Sequence, residues 1–148
     1  KIYLVTYGAK MLEFETQENG IGKIRDLGAA YDLEDQPLWK PYIPNLNLGD
    51  NGKLYYVIGG HGNYVKEDTS ILMELDPVSK EKRIVLEFPT VEMSEVTGSD
   101  IKDKEGNLYF AGRKITPKDK NTPESLPSID DKVSIPFLIK FNPKKELK

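Results

Sequence analysis

Residues 53–57 read Lys-Leu-Tyr-Tyr-Val, and this short apolar pattern occurs twice more in the chain. It recurs at residues 1–5 as Lys-Ile-Tyr-Leu-Val and at residues 107–111 as Asn-Leu-Tyr-Phe-Ala, with about 50 residues between copies. Self-similarity at a fixed spacing is typical of repeat architectures, in which each copy forms one supersecondary unit. We therefore interpret the three copies as one repeated strand, strand B.

Further segments recur around each strand B in the same order. An apolar strand C follows each strand B. Its second copy ends in Asp-Pro and its third in Asn-Pro, which are turn-forming pairs. A strand D follows two of the copies, and a strand A precedes two, separated from strand B by a Gly-containing turn. The segments are residues 45–49 and 99–103 for A, 10–14, 71–77 and 137–143 for C, and 23–27 and 83–88 for D.

Period-2 alternation, strand-length segments and Gly-containing turns predict an all-β chain of antiparallel hairpins. A unit of four antiparallel strands and about 50 residues is typical of a β-propeller blade. The predicted blade segments are residues 1–28, 43–89 and 96–148 of a single propeller portion, and the first and third blades are incomplete. The alternative is one sandwich or barrel whose hairpins are similar by accident.

Two strings carry a resemblance to known proteins: Asp50-Asn51-Gly52-Lys53-Leu54-Tyr55 and the segment from Lys104 to Gly112. Together with the later Leu-Asp-Pro and Phe-Asn-Pro, they resemble the blades of bacterial propellers of the gluconolactonase/regucalcin-like and virginiamycin B lyase-like kinds. The resemblance implies the fold, because it covers blade-packing residues. It implies no catalytic residue, because the Glu, Asn and Asp set that gluconolactonase-like enzymes place around a divalent cation has no match here.

Incomplete blades predict that other polypeptide covers them. Isolated partial blades would leave apolar faces and unpaired strand edges in water. We expect the chain to be the C-terminal part of a six- to eight-bladed ring whose upstream blades precede Lys1, or else a homo-oligomer that completes the ring. A chain that ends after strand C also resembles ring closure by an N-terminal strand.

The composition of the chain limits the kinds of binding partner that we expect. The chain has 21 Lys and Arg against 24 Asp and Glu, a net charge of -3, with both signs interspersed. This pattern favours neither nucleic acid nor a membrane as partner. Zero cysteines exclude disulfides and thiolate catalysis and fit several compartments, among which we favour the periplasm or the exterior over the cytoplasm.

Connection lengths predict where function lies. The A to B and C to D turns are short, whereas B to C (residues 59–69 and 113–135) and D to A (residues 28–42 and 89–96) are long. In a propeller the long connections would all lie on one face, and binding groups collect on long loops of rigid scaffolds. The segment 116–135, rich in Pro, Lys, Asp and Ser, is expected to be a lid or an insertion without a role.

The candidate site residues are those that we expect on or near that face. The only histidine, His61, leaves strand B between glycines, and imidazole offers acid-base chemistry near neutral pH. With Tyr64 it would abstract a proton beside a carboxylate that Arg113 holds, as a lyase or lactonase acting on a sugar-derived or other small polar substrate requires. The expected ligand-binding residues are Asn63, Asp100, Trp39 and Tyr42.

Other roles stay open for these residues. His61 would equally bond a loop carbonyl, Trp39 would cap the core, and Arg113 would pair with Asp100 or Glu95. We expect no zinc site, because one histidine and no cysteine leave three oxygen ligands to be found. Acidic loops leave calcium as an alternative, although they contain no Asp-x-Asp-x-Asp-Gly run. A non-catalytic propeller that binds protein or glycan is the second functional hypothesis.

Overall fold

The chain is all-β in a computed structural model, and its strands form three antiparallel sheets of three or four strands. The structure describes residues 1–31, 43–58, 70–88, 94–98, 101–126, 128–129 and 131–145. We number the three sheets in chain order. The predicted fold class is confirmed at this level.

The first two sheets contain the predicted strands in the predicted order. The first sheet is β1 (Ile2–Val5), β2 (Lys10–Glu15) and β3 (Lys23–Ala29), in the spatial order β1-β2-β3. The second is β4 (Asn47–Leu48), β5 (Leu54–Ile58), β6 (Ser70–Leu75) and β7 (Lys82–Phe88), in the order β4-β5-β6-β7. Strands B, C and D therefore occur as β1 to β3 and, with strand A, as β4 to β7.

The third sheet departs from the prediction in two ways. It has the order β10-β11-β9-β8, from β8 (Ser94–Gly98), β9 (Leu108–Pro117), β10 (Ser128–Ile129) and β11 (Lys132–Phe141), and a 3-10 helix at Pro143–Lys145 follows. Strand A was predicted at residues 99–103 but lies at β8. Asp103 instead forms the turn before β9, where its Oδ1 accepts the backbone N–H groups of Glu105 and Asn107 at 3.0 and 2.9 Å.

The predicted long loop at residues 113–135 is also wrong in its bounds. β9 and β11 continue as a paired hairpin through Arg113 with Pro136 and out to Pro117 with Lys132. The β-branched residues Ile115, Val133 and Ile135 explain the extension, because they favour extended backbone. Val133 is buried, which fits a strand and not a mobile insertion. The connection is reduced to residues 118–131, within which β10 pairs back onto β11.

The three copies of strand B occupy equivalent places. The middle tyrosine of each copy pairs with the same position of strand C: Tyr3 with Glu13, Tyr55 with Glu74, and Tyr109 with Lys140. The first two sheets also share a β-bulge between the two residues that precede the glutamate of strand C, which are Met11 and Leu12 in the first sheet and Leu72 and Met73 in the second. Equivalent registers and equivalent bulges show that the sequence repeat is a structural repeat.

Two apolar layers join the three sheets face to face, and β5 contributes to both. The layer between the first and second sheets contains Leu54, Tyr56 and Ile58, whereas the layer between the second and third contains Tyr55 and Val57. Successive side chains of a strand point to opposite faces, so β5 presents one set to each neighbour. All five residues are at most 1% exposed. The core therefore consists of two inter-sheet layers with β5 between them.

The outer face of the first sheet remains open to solvent in the described chain. Ile2 and Leu4 are each 48% exposed and Ile24 is 72% exposed. At the equivalent positions of the second sheet, Leu54 and Tyr56 are buried against a neighbouring sheet. The expected apolar outer face is thus present.

Candidate functional face

Strand pairing places the long connections together. The end of β5, the start of β6 and the end of β7 lie at one edge of the second sheet, because each pair is antiparallel. The connection between β5 and β6, residues 59–69, therefore leaves from this edge, and the connection from β3, residues 30–46, reaches β4 there; we call it the long-loop edge. The connection after β7 also leaves from this edge but comprises only residues 89–93, so the long D to A connection predicted at residues 89–96 is wrong in its bounds. The connection between β9 and β11 leaves the third sheet at the corresponding end.

The opposite edge, which we call the short-turn edge, carries tight turns. Gly49 and Lys53 close the turn between β4 and β5 with a backbone hydrogen bond of 2.8 Å. The turn between β6 and β7 is closed by the Glu81 carbonyl, which accepts the N–H of Asp76 at 2.9 Å. Gly52 and Gly106 adopt positive φ angles of 78° and 80° at equivalent turn positions, a conformation that glycine adopts without steric cost.

An ionic cluster lies near the short-turn edge of the second sheet. The carboxylate of Glu74, whose side chain is 4% exposed, accepts Tyr55 Oη–H at 2.6 Å and Lys53 Nζ at 2.7 Å. Arg83 donates Nε and Nη2 to the two carboxylate oxygens at 2.8 and 2.9 Å. This bidentate geometry gives a buried carboxylate enough donors to remain charged.

The first sheet repeats this cluster residue for residue. Arg25 donates to both oxygens of Glu13 at 3.2 and 2.9 Å, and Lys1 Nζ lies 3.1 Å from Glu13 Oε1. Tyr3 occupies the place of Tyr55, and its partial burial, followed by its hydrogen bond with Glu13, raises its pKa. Lys, Tyr, Glu and Arg therefore form a recurring feature of the repeat, and sequence reasoning missed it because three strands contribute the residues.

The third sheet changes the cluster. Lys140 replaces the glutamate of strand C, and the carboxylate comes instead from Asp103 in the turn before β9. Tyr109 donates Oη–H to Asp103 Oδ2 at 2.5 Å, and Lys140 Nζ lies 3.9 Å from the same oxygen. The tyrosine is retained, but strand C now carries the base and the preceding turn carries the acid.

Electrostatics keep these carboxylates ionised. Burial by itself raises the pKa of Glu74, but the hydrogen bonds from Arg83, Lys53 and Tyr55 outweigh it and lower the pKa to about 2. The hydrogen bond from Arg25 is the main cause that lowers the pKa of Glu13, also to about 2. A carboxylate with so low a pKa is a poor general base at neutral pH. We therefore assign these clusters a role in stabilising the fold and not in catalysis.

Contacts between sheets also gather at the short-turn edge. Arg25 Nη2 donates to the Pro77 carbonyl of the second sheet at 2.5 Å. Asp50, in the turn between β4 and β5, accepts Lys102 Nζ at 2.6 Å and Lys144 Nζ at 3.2 Å. The hydrogen bonds from Lys102 and Lys144 lower the pKa of Asp50. This edge therefore links neighbouring sheets.

The sequence-predicted site residues lie almost entirely outside the described residues. This holds for the candidates on the long connections, which are His61, Asn63, Tyr64, Trp39 and Tyr42. It also holds for Asp100, which was predicted in strand A and falls in the chain between β8 and β9. Their roles and their mutual distances remain predictions.

Among the predicted site residues, Arg113 is described, but only its backbone. It was predicted to leave strand B at the position equivalent to Gly59, but it lies within β9 and pairs with Pro136 of β11 and Ser94 of β8. Its side chain is outside the described part of the structure. Its backbone position is therefore corrected from a loop to a strand.

Two buried asparagines at strand β4 were not among the predicted site residues. Asn45 and Asn47 are 9% and 1% exposed, and the described residues offer no hydrogen-bond partner to either side-chain amide. An unsatisfied buried polar group costs about 1–3 kcal/mol, so these amides need a polar partner. Pairing of Asn47 with Tyr55 places Asn45 further toward the long-loop edge. The sequence signal was an Asn-x-Asn pair where strand A alternates.

The described residues contain no group of three or more His, Cys, Asp or Glu side chains arranged to hold a metal ion. The calcium alternative rests on loop acids such as Glu67 and Asp68, which lie outside the described residues. No described helix is long and apolar enough to cross a membrane.

Comparisons of the chain with protein-family models, with curated proteins and with solved structures found no match. The repeat and its geometry are therefore the basis for any functional argument.

Proposed function

We propose that the three sheets are blades of a β-propeller and that the long-loop edge is its ligand-binding face. The ligand is a sugar-derived or other small polar molecule, and the reaction is of the lyase or lactonase type. The single observation that carries the proposal is the unequal division of the connections. The three longest connections, residues 30–46, 59–69 and 118–131, start or end at this edge or at the corresponding end of the third sheet, whereas the inter-sheet contacts of Arg25 and Asp50 lie at the other edge.

The stacking of the sheets supports the proposal of a ring. The second sheet is buried on both faces, whereas the first leaves Ile2, Leu4 and Ile24 exposed. Further blades of a six- to eight-bladed ring, upstream in a longer protein, would cover that face as the first sheet covers the second. A homo-oligomer that completes the ring is the alternative partner.

The chemistry proposed for this face uses His61, Tyr64 and Arg113. The guanidinium of Arg113 would hold a substrate carboxylate, and His61 or Tyr64 would remove the proton on the adjacent carbon. The electron pair of that C–H bond would form a C=C bond while the bond to the leaving oxygen breaks, and the leaving oxygen would take up a proton. Asn63, Asp100, Trp39 and Tyr42 would contact the rest of the ligand.

The buried asparagines support a polar ligand. Asn45 and Asn47 hold amide groups that bulk water does not reach, close to the strand that precedes the second strand B. A ligand with hydroxyl or carboxylate groups offers both donors and acceptors to such amides. An apolar ligand would leave them unsatisfied.

A titration of the chain with acidic mono- and oligosaccharides, followed by NMR, tests the proposal. We expect saturable shifts at residues of the long-loop edge, loss of binding in Arg113→Gln, and loss of turnover with retained binding in His61→Ala. Lys144→Gln, at the short-turn edge, is the matched control and should leave both unchanged. Shifts confined to the short-turn edge would contradict the proposed face.

A non-catalytic scaffold that binds protein or glycan is the second candidate. Tyr7, in the turn between β1 and β2 at the long-loop edge, is 94% exposed and offers an aromatic surface of the kind that binding faces use. Binding that survives His61→Ala without turnover of any tested sugar, and that weakens in Tyr7→Ser, would favour this candidate.

A further inference from the structure

Two Asn-Gly pairs lie in exposed connections of the first two sheets. Asn19 precedes Gly20 between β2 and β3, and Asn51 precedes Gly52 between β4 and β5. Both asparagines are exposed, and an acidic residue precedes each of them in the chain. The two pairs are therefore chemically alike in the unfolded chain, and a difference between them in the folded chain arises from the structure around them.

An Asn-Gly pair loses its side-chain amide by a reaction within the chain, since glycine has no side chain to shield its backbone nitrogen. This nitrogen bonds to Cγ of the asparagine, the bond from Cγ to Nδ2 breaks, and Nδ2 leaves as ammonia with the proton of the glycine N–H. Water then opens the cyclic imide at either carbonyl and leaves aspartate or isoaspartate. The reaction requires that the side-chain amide and the glycine nitrogen can move toward each other.

The fold holds both reacting groups of the second pair in place. Asn51 Nδ2 donates to Tyr55 Oη at 2.9 Å, and Asn51 Oδ1 accepts the backbone N–H of Lys53 at 3.2 Å. The Gly52 N–H donates to the Gly49 carbonyl at 3.0 Å. Attack of the Gly52 nitrogen on Asn51 Cγ therefore requires that the turn between β4 and β5 opens.

Contacts outside this turn keep it closed. The side chain of Tyr55 is inaccessible to solvent, and its Oη–H donates to Glu74 at 2.6 Å, so the oxygen that accepts from Asn51 is fixed. Asp50, the residue before Asn51, accepts Lys102 Nζ at 2.6 Å and Lys144 Nζ at 3.2 Å. Opening of the turn therefore disrupts a buried hydrogen bond and two inter-sheet ion pairs.

The first pair has no such restraints. Residues 16–21 are all exposed, and within the described part of the chain no hydrogen bond fixes the Asn19 amide or the Gly20 N–H. The side chain and the backbone nitrogen can therefore approach each other while the first sheet stays intact.

We propose that Asn19 is a site of spontaneous deamidation in the folded chain, and that Asn51 reacts only when the turn between β4 and β5 opens. Reaction at Asn51 also prevents the turn from closing again. A carboxylate there would face the lone pairs of Tyr55 Oη, whose proton is given to Glu74, and isoaspartate would add a methylene group to the backbone of the turn. The proposal is independent of the proposed function.

The rates at the two sites in one sample test the proposal. The full chain is incubated in mildly alkaline buffer, with and without urea, and peptide mapping by mass spectrometry follows the loss of each amide. We expect Asn19 to convert at least about ten-fold faster than Asn51 in the folded chain, because only Asn51 waits for an opening. In urea the two rates should become nearly equal.

A pair of double variants tests the contacts that close the turn. Lys102→Gln with Lys144→Gln releases Asp50 and should accelerate the conversion of Asn51 without changing that of Asn19. The matched control is Lys104→Gln with Lys145→Gln, which removes the same charge from neighbouring positions and should change neither rate.

The main comparison needs no variant, so it is decisive even if a variant fails to fold. Equal rates in the folded chain would overturn the protection of Asn51. A difference that persists in urea would overturn the structural explanation, because it would arise from the neighbouring residues in the sequence. Neither measurement involves sugar binding, so failure here and failure of the proposed function are distinct.

Discussion

Strand B is nearly the same in the second and third sheets, but the charged residues around it differ. Tyr55 is fully buried between sheets and bonds Glu74 on the neighbouring strand, whereas Tyr109 bonds Asp103 in its own preceding turn. The apolar residues of strand B are nearly the same in both sheets, and the charges differ. The comparison shows that the apolar pattern specifies the sheet, while the charges on its flanking strands specify its neighbours.

Reversal of the charge at the equivalent position of strand C should have the largest effect, and the effect should differ between the two sheets. Glu74→Lys places a third cation beside Lys53 and Arg83 and leaves Tyr55 without its acceptor, so we expect a loss of about 3–5 kcal/mol in the free energy of unfolding. Lys140→Glu alters an exposed position and should cost less than about 1 kcal/mol. Urea denaturation of both variants measures the difference. Equal losses would contradict the distinction between the two sheets.

Truncation of the equivalent tyrosines should have the next largest effect. Tyr55→Ala removes a ring that lies 5.2 Å from the ring of Phe141 and is inaccessible to solvent, and we expect a loss of about 3–4 kcal/mol. Tyr109→Ala, on a partly exposed side chain, should cost about 1 kcal/mol. Thermal unfolding of the two variants checks this, and a larger effect at Tyr109 would mean that the third sheet has a covered outer face.

Acid should remove part of the stability that the second sheet gains from Glu74. The pKa of Glu74 in the folded chain is about 2, below its ordinary 4.5, so its contribution is complete above about pH 5 and is lost as pH falls toward 2. Solvent around the half-exposed Arg83 reduces this contribution to about 1–2 kcal/mol.

The matched variant for this pH prediction is Glu74→Gln, which does not titrate. The difference in unfolding free energy between the parent and the variant should shrink between pH 5 and pH 2. Glu13→Gln should behave in the same way, because its cluster is equivalent. A difference that stays constant over this range would show that Glu74 stabilises the fold by packing and not by charge.

The smallest difference is expected between alanine substitutions in two equivalent turns, one before β5 and one before β9. Alanine at Gly52 or Gly106 would have to adopt a positive φ, at a cost of about 1 kcal/mol. At Gly106 the added Cβ would also lie 2.6 Å from Asp50 Oδ2, whereas at Gly52 it meets nothing within 4 Å. We expect Gly106→Ala to lose about 1 kcal/mol more than Gly52→Ala in urea denaturation. If the losses are equal, the contact between Asp50 and the third sheet is not important for stability.

Sequence reasoning identified the repeat because its signal is local. The apolar run Leu54–Ile58 and its two copies predicted the three B strands, the strand order of the first two sheets and the equivalence of the three tyrosines, and the pairing confirms all three. Local patterns also explain the error at residues 113–135. A polar, proline-containing window obscured the β-branched residues that continue β9 and β11.

The ionic clusters could not be predicted in the same way. Glu74 and Arg83 become partners only through the register of β6 and β7, and this register includes a bulge that sequence spacing does not reveal. The exchange of acid and base in the third sheet depends on Asp103, which the sequence analysis had placed in strand A. The predicted catalytic residues His61 and Tyr64 lie on long connections, where no periodicity constrains their positions.

The alternation along β5 has a consequence for how the molecule unfolds. Because Tyr56 belongs to one inter-sheet layer and Val57 to the other, each sheet is coupled only to its immediate neighbour. Such a linear array behaves like a one-dimensional chain of coupled units, in which cooperativity spreads stepwise from one unit to the next. In the isolated chain, the first and third sheets are then the places where partial opening starts, and the middle sheet is the last to lose its structure.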